Sequence, residues 1–266
     1  MLGLGNSLTQ GGTAPNLLLD SYSGASGAFS TRKLSSSYSG NCVKVRNDSD
    51  ELADIGFSGG SIDSAALETH CGSGDGFVHT WYDQSGNGRN VTTTSSDEEP
   101  RIFNSGTYDG GIVFDSNARR LNLFDVDGDN TFFLVMNTSD TSAVLFESSA
   151  GTEGVKYALV MEDGNSQTSL YSTGVGSPSY YVDGAAQSWS IRDDAHTYLA
   201  GSKKLLTIAD LDITSSEAHW TPMYFGNYSG YQLSPATVNE IVIYGSVLSS
   251  ANQSGVEGHI MAGHGL

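Results

Sequence analysis

Basic side chains are scarce in this sequence: 12 Lys and Arg stand against 30 Asp and Glu in 266 residues, a formal net charge of -18. A nucleic-acid backbone would be repelled, and there is no Lys/Arg cluster to displace its counterions, which argues strongly against nucleic-acid binding. The same balance argues against anionic membrane surfaces. Long apolar runs are missing as well. The opening Met1-Leu2-Gly3-Leu4-Gly5-Asn6 has neither the basic start nor the apolar core of a secretion signal, and no stretch is long enough to span a bilayer. The reading is a chain made and folded in a cytoplasm, with no membrane insertion. Cysteine is limited to Cys42 and Cys71. Their separation does not suit a metal site, and in a reducing compartment two buried thiols are favoured over the single disulfide they could form. Runs of Ala, Glu, Lys and Leu suited to long helices are absent, which removes the all-helical classes.

What is present is a sheet-and-turn composition, with 33 Gly and 13 Tyr among abundant Ser and Thr. Strands are expected at Cys42–Arg46, Phe77–Tyr82, 111–114, 131–136, 143–146, 157–161, 179–182, 197–200, 223–225 and 240–244. Turn residues such as Asp163-Gly164-Asn165 and Asp183-Gly184 separate nearly all of them. Two short covering helices are expected. The first runs over Ile62–His70, capped by Asp63 and ended by Gly72, and the second over Ala251–Ala262, capped by Ser249 and carrying Val256, Ile260 and Met261 at helical spacing. Residues 1–16 read as a flexible arm, with Leu2 and Leu4 available to dock on a partner, and residues 17–266 as one β-sandwich domain.

The most specific stretch is Trp81-Tyr82-Asp83-Gln84-Ser85-Gly86-Asn87-Gly88, where an apolar strand stops at a cluster of turn-formers. It reads as a strand-to-loop corner, with Trp81 in the core and Asp83 and Asn87 bonding the turn; a carbohydrate-facing or ion-holding loop is the alternative. A second acidic stretch, Asp125-Val126-Asp127-Gly128-Asp129, places carboxylates at alternate positions, which makes Asp125, Asp127 and Asp129 candidate calcium ligands. Position 12 of an EF-hand counted from Asp125 is the apolar Met136, so the loop departs from that pattern and an acidic hairpin is the other reading. No other cofactor is implied. Trp220, Tyr224, Tyr228 and Tyr231 gather around Asn227 and form a candidate glycan-binding surface, or equally an interface between subunits. The six His show no metal-binding spacing.

With Glu240-Ile241-Val242-Ile243-Tyr244 leading through Leu248-Ser249 to a terminal helix, the chain resembles the concanavalin A-like lectin/glucanase superfamily in its laminin-G-like form, which implies an all-β jelly-roll sandwich. Tyr82-Asp83-Gln84-Ser85-Gly86-Asn87-Gly88, preceded by Arg32-Lys33-Leu34, is similar to the catalytic sandwich of the α-L-arabinofuranosidases. A broader arrangement looks like lectin-like virion proteins of marine bacteriophages; it includes the Met-Leu-Gly-Leu-Gly opening, Val43-Lys44-Val45-Arg46 and Arg192-Asp193-Asp194-Ala195.

The arabinofuranosidase resemblance implies a nucleophilic Glu in a Met/Leu-Glu-Asn stretch, where Met161-Glu162-Asp163 stands here, and an acid/base Asp where this chain has Asn227. An amide cannot donate a proton as a carboxylic acid does. The family's adjacent cysteine pair is missing too, since Cys42 and Cys71 stand apart. With the catalytic pair incomplete, the sequence reads as a non-enzymatic structural and adhesion component of a bacteriophage virion. Its expected partners are other virion proteins, further copies of itself and a host-surface glycan. The alternatives are a glycoside hydrolase of the arabinofuranosidase type and a free carbohydrate-binding module.

Overall fold

The computed structural model describes residues 17–93, 95–115, 119–124, 126, 128–139, 141–147, 157–172, 175–213 and 236–266. The chain enters through a short helix α1 (Leu18–Ser21) and strand β1 (Gly27–Ser30). Strands β2 (Val43–Asn47) and β3 (Leu52–Ile55) and the small hairpin β4 (Phe57–Ser58) and β5 (Ser61–Ile62) lead to α2 (Ser64–Cys71). Next come β6 (Gly76–Trp81), β7 (Val91–Thr92), β8 (Arg101–Asn104) and β9 (Thr107–Phe114). They are followed by β10 (Gly128–Thr138), the hairpin β11 (Ser142–Glu147) and β12 (Tyr157–Glu162), then β13 (Gly176–Val182) and β14 (Ala185–Ala186). The chain closes with α3 (Arg192–Leu199), β15 (Lys204–Ile213), β16 (Ala236–Tyr244) and α4 (Ser250–His264).

Twelve strands form one antiparallel sheet whose main path is β14-β13-β15-β10-β16-β9-β8-β6-β2-β3, with β1 added beside β16 and β7 beside β6. The sheet folds over on itself. Inward residues of one half, Val43, Val45, Val78, Trp81 and Ile102, share a single hydrophobic cluster with inward residues of the other half, Phe132, Leu134, Leu206, Ile208, Ile241 and Ile243. The β11–β12 hairpin closes over the same core through Leu145, Phe146, Leu159 and Met161. This is the all-β, jelly-roll-type sandwich expected from the sequence.

The near-continuous apolar run of β10 has a direct cause. Phe132, Leu134 and Met136 point into the sandwich, whereas Phe133 and Val135 point outward into a second cluster with Leu18, Leu205, Val242, Val256 and Ile260. Both faces of the central strands are therefore covered, one by the opposing half-sheet and the other by α1 and α4. Alternation of apolar and polar residues is lost where two layers bury one strand.

Helix boundaries follow their caps. Asp63 accepts the N–H of Ala66 at 3.0 Å to start α2, and Ser249 accepts that of Asn252 at 3.3 Å to start α4. The third helix corrects an expectation: of the strand expected at 197–200, residues 197–199 close α3 and only the extended Ala200 beyond them makes a β-bridge, to Thr138. The Asp194 carboxylate folds back to accept the backbone N–H groups of Ser190 (2.8 Å) and Ile191 (3.1 Å), which fixes the helix start and holds that carboxyl below its ordinary range. Strand β15, central in the sheet, went unread. The expected strand at 223–225 and the arm at 1–16, with Leu2 and Leu4, lie outside the described residues.

Candidate active site

The Trp81–Gly88 corner is a fastening. Trp81 is fully buried and packs against Phe29 with ring centroids 5.9 Å apart. Past the strand end, the Asp83 carboxylate accepts four hydrogen bonds, from the N–H groups of Ala28 (3.0 Å), Ser85 (2.9 Å) and Arg89 (3.0 Å) and from the Ser85 hydroxyl (2.8 Å). Gln84 was not singled out from the sequence, yet it stitches a third segment: its Oε1 accepts the Leu34 N–H at 2.8 Å, and its Nε2 donates to the carbonyls of Ser30 and Arg32. Asn87 donates to the carbonyls of Ala25 (2.9 Å) and Ser26 (3.2 Å). Gly86 and Gly88, at φ +91° and +70°, make the tight return that L side chains resist. Through these bonds the corner joins β6 to residues 25–34.

A second group of charged side chains gathers around the last residue of β12. Glu162 is half-buried, and its Oε2 lies 3.2 Å from Nη1 of Arg192, the first residue of α3, which is itself buried. The Arg192 guanidinium is oriented further by the Ser169 carbonyl at 3.0 Å and the Ser169 hydroxyl at 3.1 Å. Residues 165–172 form the link between them. Leu170 accepts the Val160 N–H of β12 at 2.7 Å, and Gln167 accepts the Arg192 N–H at 3.0 Å. Further along this link, Leu170 and Tyr171 line a groove of about 310 Å³ with Tyr180, Tyr181 and Trp189. Trp189 stacks on Tyr180 at 5.2 Å and 27°, and the Tyr180 hydroxyl donates to the Ala158 carbonyl at 2.7 Å, which locks the aromatic pair to β12. A rigid aromatic groove of this kind suits a ligand with hydroxyls and apolar C–H faces, such as a sugar.

Two acids and a histidine adjoin this pair. Ligand atoms of Asp163, Asp193 and His196 all lie within 4.8 Å of one another, a set that could hold a metal ion or exchange protons. Asp193 already accepts the Gly164 N–H at 2.8 Å, and His196 Nδ1 sits 3.7 Å from Asp163. Of the calcium candidates, Asp129 stands on β10 opposite Asp212 of β15, and Asp125 and Asp127 lie outside the described residues. The glycan candidates Trp220, Tyr224, Asn227, Tyr228 and Tyr231 are likewise outside them. Sequence reasoning missed Arg192 and Trp189 as site residues: nothing local marks Arg192, and the available signal for Trp189 was an indole among polar residues just ahead of a helix start.

Residues 21–150, just under half of the chain, match the family model described as alpha-L-arabinofuranosidase B, catalytic. Among solved structures, a GH54 α-L-arabinofuranosidase variant soaked with 4-nitrophenyl α-L-arabinofuranoside aligns over 92% of this chain and 64% of its own, at 16% identity and a TM-score of 0.59. A GH54 α-L-arabinofuranosidase soaked with a cyclic sulfate inhibitor and an arabinofuranosidase complexed with arabinofuranosyl-alpha-1,2-xylobiose align over the same shares, each at 17% identity and a TM-score of 0.56. The chain therefore spans 64% of the length of these solved relatives. No curated protein matches it. The fold is similar to that of these arabinofuranosidases over most of the chain, and the similarity to the arabinofuranosidase catalytic sandwich extends well beyond the Tyr82–Gly88 motif. This corrects the expectation of a non-enzymatic virion component, because the matched model is described as an arabinofuranosidase catalytic domain and the similar solved structures are arabinofuranosidases.

Proposed function

We propose that the chain is the catalytic sandwich of a glycoside hydrolase that cleaves α-L-arabinofuranosides, with Glu162 as the attacking carboxylate. The match of residues 21–150 to the catalytic-domain model carries the reading. The likeness in fold over 92% of the chain supports it, as does the ion pair that holds the half-buried Glu162 against Arg192. A retaining glycosidase needs a nucleophilic carboxylate and a proton donor with carboxyl groups about 5–5.5 Å apart, and this chemistry requires no cofactor.

In the first step a Glu162 oxygen bonds to the anomeric carbon as the glycosidic C–O bond breaks and the leaving oxygen takes a proton. Water then cleaves the glycosyl ester, returning the carboxylate and delivering a proton to the acid/base. Arg192 orients the nucleophile. Asn227, at the position that the family resemblance assigns to the acid/base, cannot donate that proton, so the role passes to the acids beside the pair, with Asp193, next to Arg192 on α3, as the assigned group.

The test is release of nitrophenol from 4-nitrophenyl α-L-arabinofuranoside. Glu162→Gln should lower kcat by about 10²-fold or more, and Asp193→Asn should lower it as well. A folded protein that turns over no aryl furanoside would overturn the reading. Full activity in Glu162→Gln would move the nucleophile elsewhere.

A further inference from the structure

A second pocket, of about 320 Å³, lies where β5, residues 31–32, β9, β16 and the end of α4 meet. Its floor is built around Glu240, which has no exposure at all in the middle of β16. The Glu240 carboxylate is shared by the Arg32 guanidinium through Nε at 2.7 Å and Nη2 at 2.8 Å, by His264 Nε2 at 3.0 Å and by the Ser30 hydroxyl at 2.7 Å. Gly263 makes this arrangement possible, since a Cβ there would meet Arg32 Cζ and Nη1 at 2.8 Å.

The donors left over matter most. Arg32 spends Nε and Nη2 on Glu240, and Nη1 has no partner among the described residues. Lys203 lines the pocket with no carboxylate beside it among the described residues, in a chain that carries 30 acids to 12 bases. Because Arg32 offsets the Glu240 charge, Lys203 sets the sign of the pocket as positive. Tyr108, Asn239 and Ser64, the first residue of α2, add neutral polar groups to the walls. The Asp63 carboxylate next to Ser64 is committed to the Ala66 N–H.

We propose that this pocket binds a small hydroxylated ligand bearing one oxyanion, a sugar acid or sugar phosphate, with Lys203 and Arg32 Nη1 on the oxyanion and Tyr108 and Asn239 on the hydroxyls. A guanidinium pre-oriented by a buried carboxylate loses little freedom on meeting an oxyanion, which is the usual economy of Arg in such sites. The proposal does not depend on turnover of furanosides, and its readout is binding.

Titration calorimetry on the whole chain would use D-glucuronate, D-galacturonate and D-arabinose 5-phosphate as ligands, with D-arabinose and inorganic phosphate as controls. The expected result is binding of at least one acidic sugar that is about tenfold weaker in Lys203→Gln, an exposed site whose change leaves the fold intact, and weaker also in Tyr108→Phe. The uronate and phosphate arms identify which oxyanion is taken. The proposal is overturned if no acidic sugar binds more tightly than arabinose. It is overturned equally if inorganic phosphate alone binds as tightly as the acidic sugars, or if Lys203→Gln leaves binding unchanged.

Discussion

Glu240 of β16 and Arg32, two residues past the end of β1, meet in a two-pronged ion pair at 2.7 and 2.8 Å although 208 residues separate them in sequence. The carboxylate has no access to water, so its charge is tolerated only because Arg32, His264 and Ser30 surround it. Arg32→Met should therefore destabilise the fold by about 3–5 kcal/mol, the usual cost of leaving one member of a buried pair uncompensated. Urea denaturation of the variant measures this. A loss below about 1 kcal/mol would show that Glu240 takes up a proton and stays buried at little cost.

The same pair sets an acid limit. Burial alone would raise the carboxyl of Glu240, but the Arg32 guanidinium and the His264 hydrogen bond outweigh it and hold it below its ordinary value of 4.5. The folded state thus binds this proton less readily than the unfolded state. The contribution to stability is full above pH 4.5 and is lost as pH falls from there through the lower folded value. The difference in Tm between wild type and Glu240→Gln should accordingly be constant from pH 7 to about 5 and shrink below it. A gap that widens with acidity would contradict the assigned direction.

Much of the sandwich was legible because its signals are local. The Phe132–Met136 run, the Ser249 cap and the Trp81–Gly88 corner each declare themselves within ten residues. Thr197-Tyr198-Leu199-Ala200 misled because Thr, Tyr and Leu favour a pleated surface, whereas the deciding contact is the Asp194 carboxylate three residues earlier. The site was harder. Glu162 and Arg192 meet across 30 residues, and a single sequence carries no record of such pairings. Glu240 did leave a clue, since an acid within Val238-Asn239-Glu240-Ile241-Val242, where burial is continuous, must have a buried partner.

The thiols give a prediction about reactivity. Cys42 and Cys71 are both free and buried. Burial drives the Cys42 thiol far up, and burial together with Asp48 and Asp75 pushes Cys71 up to about 11. At pH 8 the reactive thiolate of Cys71 is then about one part in a thousand. Ellman's reagent should leave both unmodified in the folded protein and titrate two thiols in urea. Fast reaction of either in the native state would mean that the sandwich opens locally at β2 or at the end of α2.

Asp83 offers the sharpest test of the corner. Its four accepted bonds include three from backbone N–H groups of Ala28, Ser85 and Arg89, and a group only 4% exposed has no water to substitute for them. Asp83→Ala strands those donors and should cost about 3 kcal/mol or more, since each unsatisfied buried donor costs about 1–3 kcal/mol. Asp83→Asn retains the shape but replaces one acceptor oxygen by a donor. Oδ1 takes Ala28 and Ser85, and Oδ2 takes Arg89 and the Ser85 hydroxyl, so either orientation of the amide loses two bonds and leaves two. The expected order in chemical denaturation is wild type, then Asn, then Ala. If the corner is only a fastening, the variants should keep the kcat of wild type on any substrate at temperatures where they remain folded. A fall in kcat with stability unchanged would instead place Asp83 at a ligand.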